Sequence, residues 1–242
     1  MGSGGTEWEV ADVISASRMN QKTLFVGTGT QIDALSTTYA GMYVYSTDTS
    51  GTKIADTLYQ RNAANSAWVA WSIVGKQDFP ISAAAMWART TSGSASLAKS
   101  ETVTNYINYQ TLDFDQTTQE YCQFQWMAVR NYNNGTIKFT PYWTAASGSG
   151  TVVWQMRGVA LSNDDALDTA MGTAQSSTDT LITAYDLHVG PQSSAITIAG
   201  TPADSDMHWW QIDRDTGTDT LTADAKLLGI VVELSLDSGI VG

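Results

Sequence analysis

The sequence predicts an all-β protein, a small N-terminal β-meander unit followed by a jelly-roll-like antiparallel β-sandwich. Three observations predict it. Apolar and polar residues alternate with a period of two through most of the chain after residue 80. Gly, Asn, Asp, Ser and Thr punctuate the alternating runs, which is turn chemistry. Beyond residue 80 only one short stretch has helix-like spacing. The 242 residues suffice for a large β domain with a small companion.

The first ~75 residues read as a small unit. "EWEVADVISASRMNQKTLFVGTGTQI" reads as irregular, with a helical turn around 13–19. Three strand-like pieces follow at 41–48, 56–62 and 67–74, an arrangement near the lower limit for independent stability. "GKQDFP", polar and closed by Pro80, reads as the boundary, giving units 1–76 and 77–242.

Beyond it, strand candidates fall at 83–88, 106–114, 121–130, 136–144, 151–161, 177–183, 194–198, 207–213 and 226–236. In 121–130, Cys122, Phe124, Trp126 and Ala128 share a face, with Gln123 and Gln125 between them. In 136–144, Ile137, Phe139, Pro141 and Trp143 share a face. In 226–236, Leu228, Ile230, Val232, Leu234 and Leu236 do so. Asn134-Gly135 predicts a type I′ hairpin between 121–130 and 136–144, because both residues accept positive φ. "SNDDALDTAM", 162–171, predicts the one helix, capped by Ser162 or Asn163 with acids in its first turn. Many antiparallel strands and one helix indicate two packed sheets.

The charge balance is −12, and the twelve Lys and Arg are scattered. Such a surface repels phosphate backbones, so nucleic acid is not an expected partner. Cys122 is the only cysteine and reads as a small buried hydrophobe. "MGSGGTEWEV" lacks the basic and apolar regions of a signal peptide, and its loose myristoylation pattern reads as a flexible Gly-rich start. No apolar run is long enough for a membrane span.

Catalytic apparatus is scarce, and no enzyme activity, cofactor or metal site is expected. His188 and His208 are the only histidines, and no nucleophile elbow is present. Asp113, Asp115, Glu120, Asp164, Asp165, Asp204 and Asp206 supply carboxylates of the kind glycosidases pair, but they fall at strand ends where Asp favours turns. "DRDTGTDT" gathers Asp213, Asp215 and Asp219, with Asp224 further on. It departs from an EF-hand loop in its Gly position and lack of flanking helices, so a solvated turn is expected, with a β-loop calcium site as the alternative. Trp143, Trp154, Trp209 and Trp210 are candidates for stacking on sugar rings. In "HWWQID", His208, Trp210 and Ile212 point one way, Trp209 and Gln211 the other, so one tryptophan must leave the core face.

The second unit resembles tailed-phage virion structural proteins of the fibre, spike or capsid-decorating type. The resemblance runs through "LDFDQTTQEYCQFQW", "NGTIKFTPYWTAASGSGTVVWQMRGVALSNDDALDTAMGTAQSSTDT", "DLHVG", "ITIAGTPADSDMHWWQIDRD" and "DTLTADAKLLGIVVELS". The first unit resembles the front end of such proteins in "ASRMNQKTLFVGTGTQI", "STTYAGMYVYSTD" and "DTLYQRNAANSAW". The resemblance implies a non-catalytic structural component of the virion. It implies assembly as a homo-oligomer, a trimer above all, with other virion proteins and a host-surface glycan as partners. The chain is short for a long fibre and carries no heptad shaft. The alternative is a carbohydrate-binding β-sandwich module with one or two solvent-facing tryptophans. A β-sandwich hydrolase is a third reading, disfavoured by the scarcity of His and of nucleophile motifs.

Overall fold

The structure, a computed structural model, describes residues 25–35, 42–47, 57–61, 64, 66–70, 75–129, 131–203 and 205–236. The helical turn read at 13–19, Asp204 and Arg130 lie outside them. The described residues divide into two compact units, the second running from Gly75 to Leu236.

The first unit holds a four-stranded sheet. Strand β1 (Phe25–Gly27) pairs in parallel with β2 (Tyr43–Ser46), which continues antiparallel into β3 (Thr57–Arg61) and β4 (Trp68–Ala70). The meander is therefore β2–β4. A fourth strand and a short helix, α1 (Gly29–Asp33), occupy sequence read as irregular. A capping box starts α1: Gln31 N–H donates to Thr28 Oγ1 at 3.2 Å, and Thr28 N–H to Gln31 Oε1 at 2.8 Å. Ile32, Met42, Val44 and Tyr59 form a small buried cluster.

The second unit is an antiparallel β-sandwich. Its strands are β5 (Gly75–Ser82), β6 (Trp87–Ala88), β7 (Ala98–Glu101), β8 (Asn108–Phe114), β9 (Tyr121–Met127), β10 (Lys138–Thr144), β11 (Thr151–Leu161), β12 (Gln175–Thr180), β13 (His188–Val189), β14 (Met207–Arg214) and β15 (Ala225–Leu236). One sheet runs β13-β10-β15-β8-β7, with β5 also paired to β15, and the other runs β12-β11-β14-β9-β6. "GKQDFP", read as a boundary, is itself part of β5, which pairs from Gly75↔Leu236 to Ser82↔Gly229. The stretch 83–88 is a 3-10 turn, Ala83–Ala85, followed by β6, and 194–198 forms only a bridge, Ile196↔Ile137.

Three local expectations are corrected. The Asn134-Gly135 hairpin does not form, because β9 and β10 belong to different sheets. Asn134 does take φ 56°, but the chain is crossing between sheets there. Tyr132 is buried and donates to the Gly135 carbonyl, Gly135 N–H bonds Asn133 Oδ1 at 2.9 Å, and Asn133 N–H bonds Ser235 O at 3.1 Å. The 162–171 segment forms turns, not a helix. Residues 162–170 are all exposed, Asp164 has φ 68°, and Ser162 N–H bonds Asp165 Oδ2 at 2.9 Å. With no apolar face to bury, a helix that short has nothing to stabilise it. In β15 the register shifts between Tyr142↔Gly229 and Trp143↔Leu227. That bulge leaves Leu228 as the extra residue and gives its core place to Leu227, with Ile230, Val232, Leu234 and Leu236 buried as expected.

The core between the sheets is rich in aromatics. Trp210 stacks near Phe124 with centroids 6.3 Å apart and meets Trp126 edge-on at 5.6 Å. Room for its indole comes from Gly158 on the neighbouring strand, where a Cβ would sit 2.3 Å from Trp210 Cε3. We expect Gly158→Ala to lower stability by ~1–3 kcal/mol through overpacking. An unchanged urea midpoint would contradict this.

His208 is fully buried beside Trp126, Tyr132 and Trp210, and neither ring nitrogen has a hydrogen-bond partner among the described residues. Burial holds its pKa below the ordinary 6.5, while Asp206 pulls it upward. As pH falls below about 6.5 the unfolded chain takes up the proton first, so stability declines from there. Stability measured from about pH 7 to about pH 5 should be flatter in His208→Phe than in the parent chain. Equal slopes would show that His208 is not the titrating group.

Candidate functional site

The five-stranded sheet turns two different faces to its surroundings. Cys122, Phe124, Trp154, Met156, Trp210 and Ile212 point inward and are buried. The alternate residues point outward, and the ladders align them in rows. Gln125, Trp209 and Val159 stand side by side on β9, β14 and β11. The next row is Trp87, Gln123, Gln211 and Arg157, across β6, β9, β14 and β11. Tyr121, Asp213 and Gln155 follow.

This face is polar, aromatic and internally bonded. Trp87 is 43% exposed, Trp209 is half-buried, and Gln125 is exposed. Strand geometry puts Trp87 and Trp209, two strands and two residues apart, about 12 Å from each other. Gln211 Oε1 accepts from Arg89 Nη1 at 3.1 Å and from Gln123 Nε2 at 3.3 Å. Asp213 accepts from Arg157 Nη2 at 2.7 Å and from Gln119 Nε2 at 2.8 Å. Burial raises the Asp213 pKa, with Arg157 opposing that shift. Gln155 Nε2 donates to Asp215 Oδ2 at 3.0 Å. The face can thus offer indole surface, the Gln123 and Gln125 amides and guanidinium groups to a ligand, while Gln211 and Asp213 are buried and already matched by donors.

The residues singled out from sequence are placed as follows. Trp143, Trp154 and Trp210 are fully buried, so they stack on no ligand; Trp209 is the tryptophan that leaves the core. His188 is buried against Trp143 at 4.8 Å and, like His208, serves packing. Burial pushes the Cys122 thiol pKa up, and its Sγ lies 3.8 Å from Met86 Sδ. The acids are spent on turns and ion pairs. Asp113 pairs with Lys226, and Asp206 accepts from Ser162 Oγ at 2.6 Å and Ala203 N–H at 2.8 Å. Asp115 is held at about 2 by the Thr117 amide and hydroxyl and the Thr118 amide. Glu120 accepts from Asp115 N–H at 2.8 Å, and burial raises its pKa. Asp115 and Glu120 belong to one turn rather than to opposite walls of a cleft.

The Asp213–Asp219 stretch is not the solvated turn expected. Asp219 is buried against Arg214, receiving Nε at 3.0 Å and Nη2 at 2.8 Å. Asp213 bonds the other way, to Arg157, and Asp215 accepts from Gly217 N–H and Thr218 Oγ1. Among the described residues no group of three acids, His or Cys converges as a metal site. Arg214→Met should cost about 3–5 kcal/mol, since it leaves Asp219 buried without its partner. Calcium should leave the parent Tm unchanged. A calcium-dependent rise in Tm that Asp219→Asn abolishes would overturn this assignment.

Sequence reasoning missed Trp87, Arg89 and Arg157. Gln123 and Gln125 were visible as the wet side of an alternating strand, and Trp209 with Gln211 as the side opposite Trp210. Trp87 lies in a strand of two residues, too short for a period to register. Arg89 and Arg157 join the face only through pairing across the sheet.

No family model matches the chain, and no curated protein matches it. Solved structures do. A family 28 carbohydrate-binding module specific for non-crystalline cellulose is 12% identical, covering 64% of this chain and 89% of its own, with a TM-score of 0.37. A family 11 carbohydrate-binding module from Clostridium thermocellum, solved in complex with a β-1,3-1,4-mixed-linked tetrasaccharide, is 9% identical, covering 69% and 99%, also at 0.37. A family 36 module of a xylanase from the hindgut metagenome of Trinervitermes trinervoides is 8% identical, covering 64% and 96%, at 0.33. At such identities these proteins' ligands are not transferred. The expectation of a structural virion protein is corrected: these solved structures are carbohydrate-binding modules and not virion proteins. Among the described residues no helix is long and apolar enough to cross a membrane.

Proposed function

We propose that the outward face of the five-stranded sheet binds a carbohydrate chain and does no chemistry on it. One observation carries this reading. Trp87 and Trp209 reach the surface on a face that also carries the Gln123 and Gln125 amides and the Arg89 and Arg157 guanidinium groups. A sugar ring has an apolar C–H side and a rim of hydroxyls. Indoles bury the first without losing a hydrogen bond, and glutamine amides both donate to and accept from the second. The spacing of the two tryptophans, about 12 Å, exceeds one pyranose ring and suits a chain rather than a single sugar. Gln123 stands beside Trp87 and Gln125 beside Trp209 in the ladder, with the buried Gln211 behind Gln123.

The absence of turnover rests on the fate of the acids and bases. Both histidines are packed in the interior, and Asp213 is matched by Arg157 and Gln119. Trp209→Ala and Trp87→Ala are each expected to weaken polysaccharide binding roughly tenfold, the effect of losing a central aromatic contact. Affinity electrophoresis in gels cast with a panel of polysaccharides measures this. Binding that survives the double substitution would place the ligand elsewhere. Release of reducing sugars by the purified chain would refute the non-catalytic reading.

A further inference from the structure

Resting on that reading, we propose that the bound polysaccharide is an acidic one, bearing uronate carboxylates, and that Arg89 is the residue that receives them. The observation is a guanidinium that is fixed in place and has no counter-charge. Arg214 is paired with Asp219 and Arg157 with Asp213, both within 2.8 Å. Arg89 has no carboxylate at ion-pair distance among the described residues, in a chain with 24 acids against 12 Lys and Arg.

Its position is built with care. The Arg89 N–H donates to Tyr121 O at 3.0 Å, Ser94 N–H donates to the same oxygen at 3.1 Å, and Tyr121 N–H returns to Ser92 O at 2.9 Å. This folds the 89–94 loop around Tyr121. Gly93 is required there, since a Cβ would sit 2.0 Å from Arg89 O. The guanidinium then lies 3.7 Å over the Tyr121 ring. Nε donates to Thr91 O at 2.7 Å and Nη1 to Gln211 Oε1 at 3.1 Å. One N–H of Nη1 and both of Nη2 have no acceptor among the described residues, so Nη2 is left with both donors for a ligand.

Holding a free arginine still costs side-chain entropy. Here the stacking and the two hydrogen bonds have already immobilised it. A planar fork held this way matches a carboxylate bidentately, which a hydroxyl cannot exploit. Asp213 does not repel such a ligand, because Arg157 and Gln119 match it. Trp87, two residues before Arg89 and 43% exposed, supplies ring surface beside the charge.

The test uses the full chain with polygalacturonate, a neutral mixed-linked β-glucan and a sulfated glycan, by calorimetry at low and high salt. Polygalacturonate should bind best and weaken as salt rises. Arg89→Met should reduce that binding roughly ten- to hundredfold, the value of a charge-assisted pair. Arg89→Lys should restore part of it, and unchanged Tm in both variants would exclude misfolding as the cause. Neutral glucan bound as tightly as polygalacturonate, with no effect of Arg89→Met, would overturn the uronate assignment while leaving carbohydrate binding intact. Preference for the sulfated glycan would overturn it too. No binding to any polysaccharide would overturn both.

Discussion

Arg214 stands at the end of β14 with no exposure to solvent, and the sandwich is organised around it. Beyond its two contacts with Asp219, Nη1 reaches the carbonyls of Phe114, Asp115 and Ala223 at 3.2, 3.3 and 2.8 Å, and Nη2 reaches Leu221 O at 2.8 Å. Phe114 closes β8 in the opposite sheet. One guanidinium therefore ties the two sheets and the loop leading into β15. A buried charge left unmatched would cost several kcal/mol, and here the carboxylate and the carbonyls match it together. The constraint runs both ways. Asp219 also accepts from Val153 N–H at 3.1 Å and Leu221 N–H at 2.8 Å, so the same carboxylate sets the start of β11.

Fixing β14 fixes the site. The residues of β14 alternate, so seating His208, Trp210, Ile212 and Arg214 inward obliges Trp209, Gln211 and Asp213 to face outward. Trp209 is on the surface because Trp210 is in the core. Gly158 takes part in the same arrangement: it admits the Trp210 ring on the inner side, while its neighbour Arg157 reaches Asp213 on the outer side. Packing inside and recognition outside are thus two faces of one ladder.

Much of this was legible in the residues, and the misses have physical causes. Period-two alternation located β9, β10 and β15 because each has one buried and one wetter face, while β11 and β14 are buried on both sides along much of their length. The opposed directions of Trp209 and Trp210 followed from the pleat alone. The Asn134-Gly135 hairpin failed because a turn signal reports local φ preference and not which sheet the next strand joins. The bulge at Leu228 moved a core position by one residue, a shift no alternation can announce. Arg214 gave no sign at all: a lone arginine among aspartates reads as solvated until the carbonyls of Phe114 and Asp115, about a hundred residues earlier, and of Leu221 and Ala223 are seen to surround it. The site itself is spread over β6, β9, β11 and β14, so only its pieces were visible, and Arg89 depends on a loop folded around Tyr121.

The most direct measurement is the indole N–H region of the NMR spectrum as polysaccharide is added. Each indole proton reports on its own surroundings, and the chain has nine tryptophans to compare. Shifts concentrated at Trp87 and Trp209, with Trp143, Trp154 and Trp210 unmoved, are the result expected of a carbohydrate-binding outward face. Saturating polysaccharide that leaves Trp87 and Trp209 unshifted would contradict it.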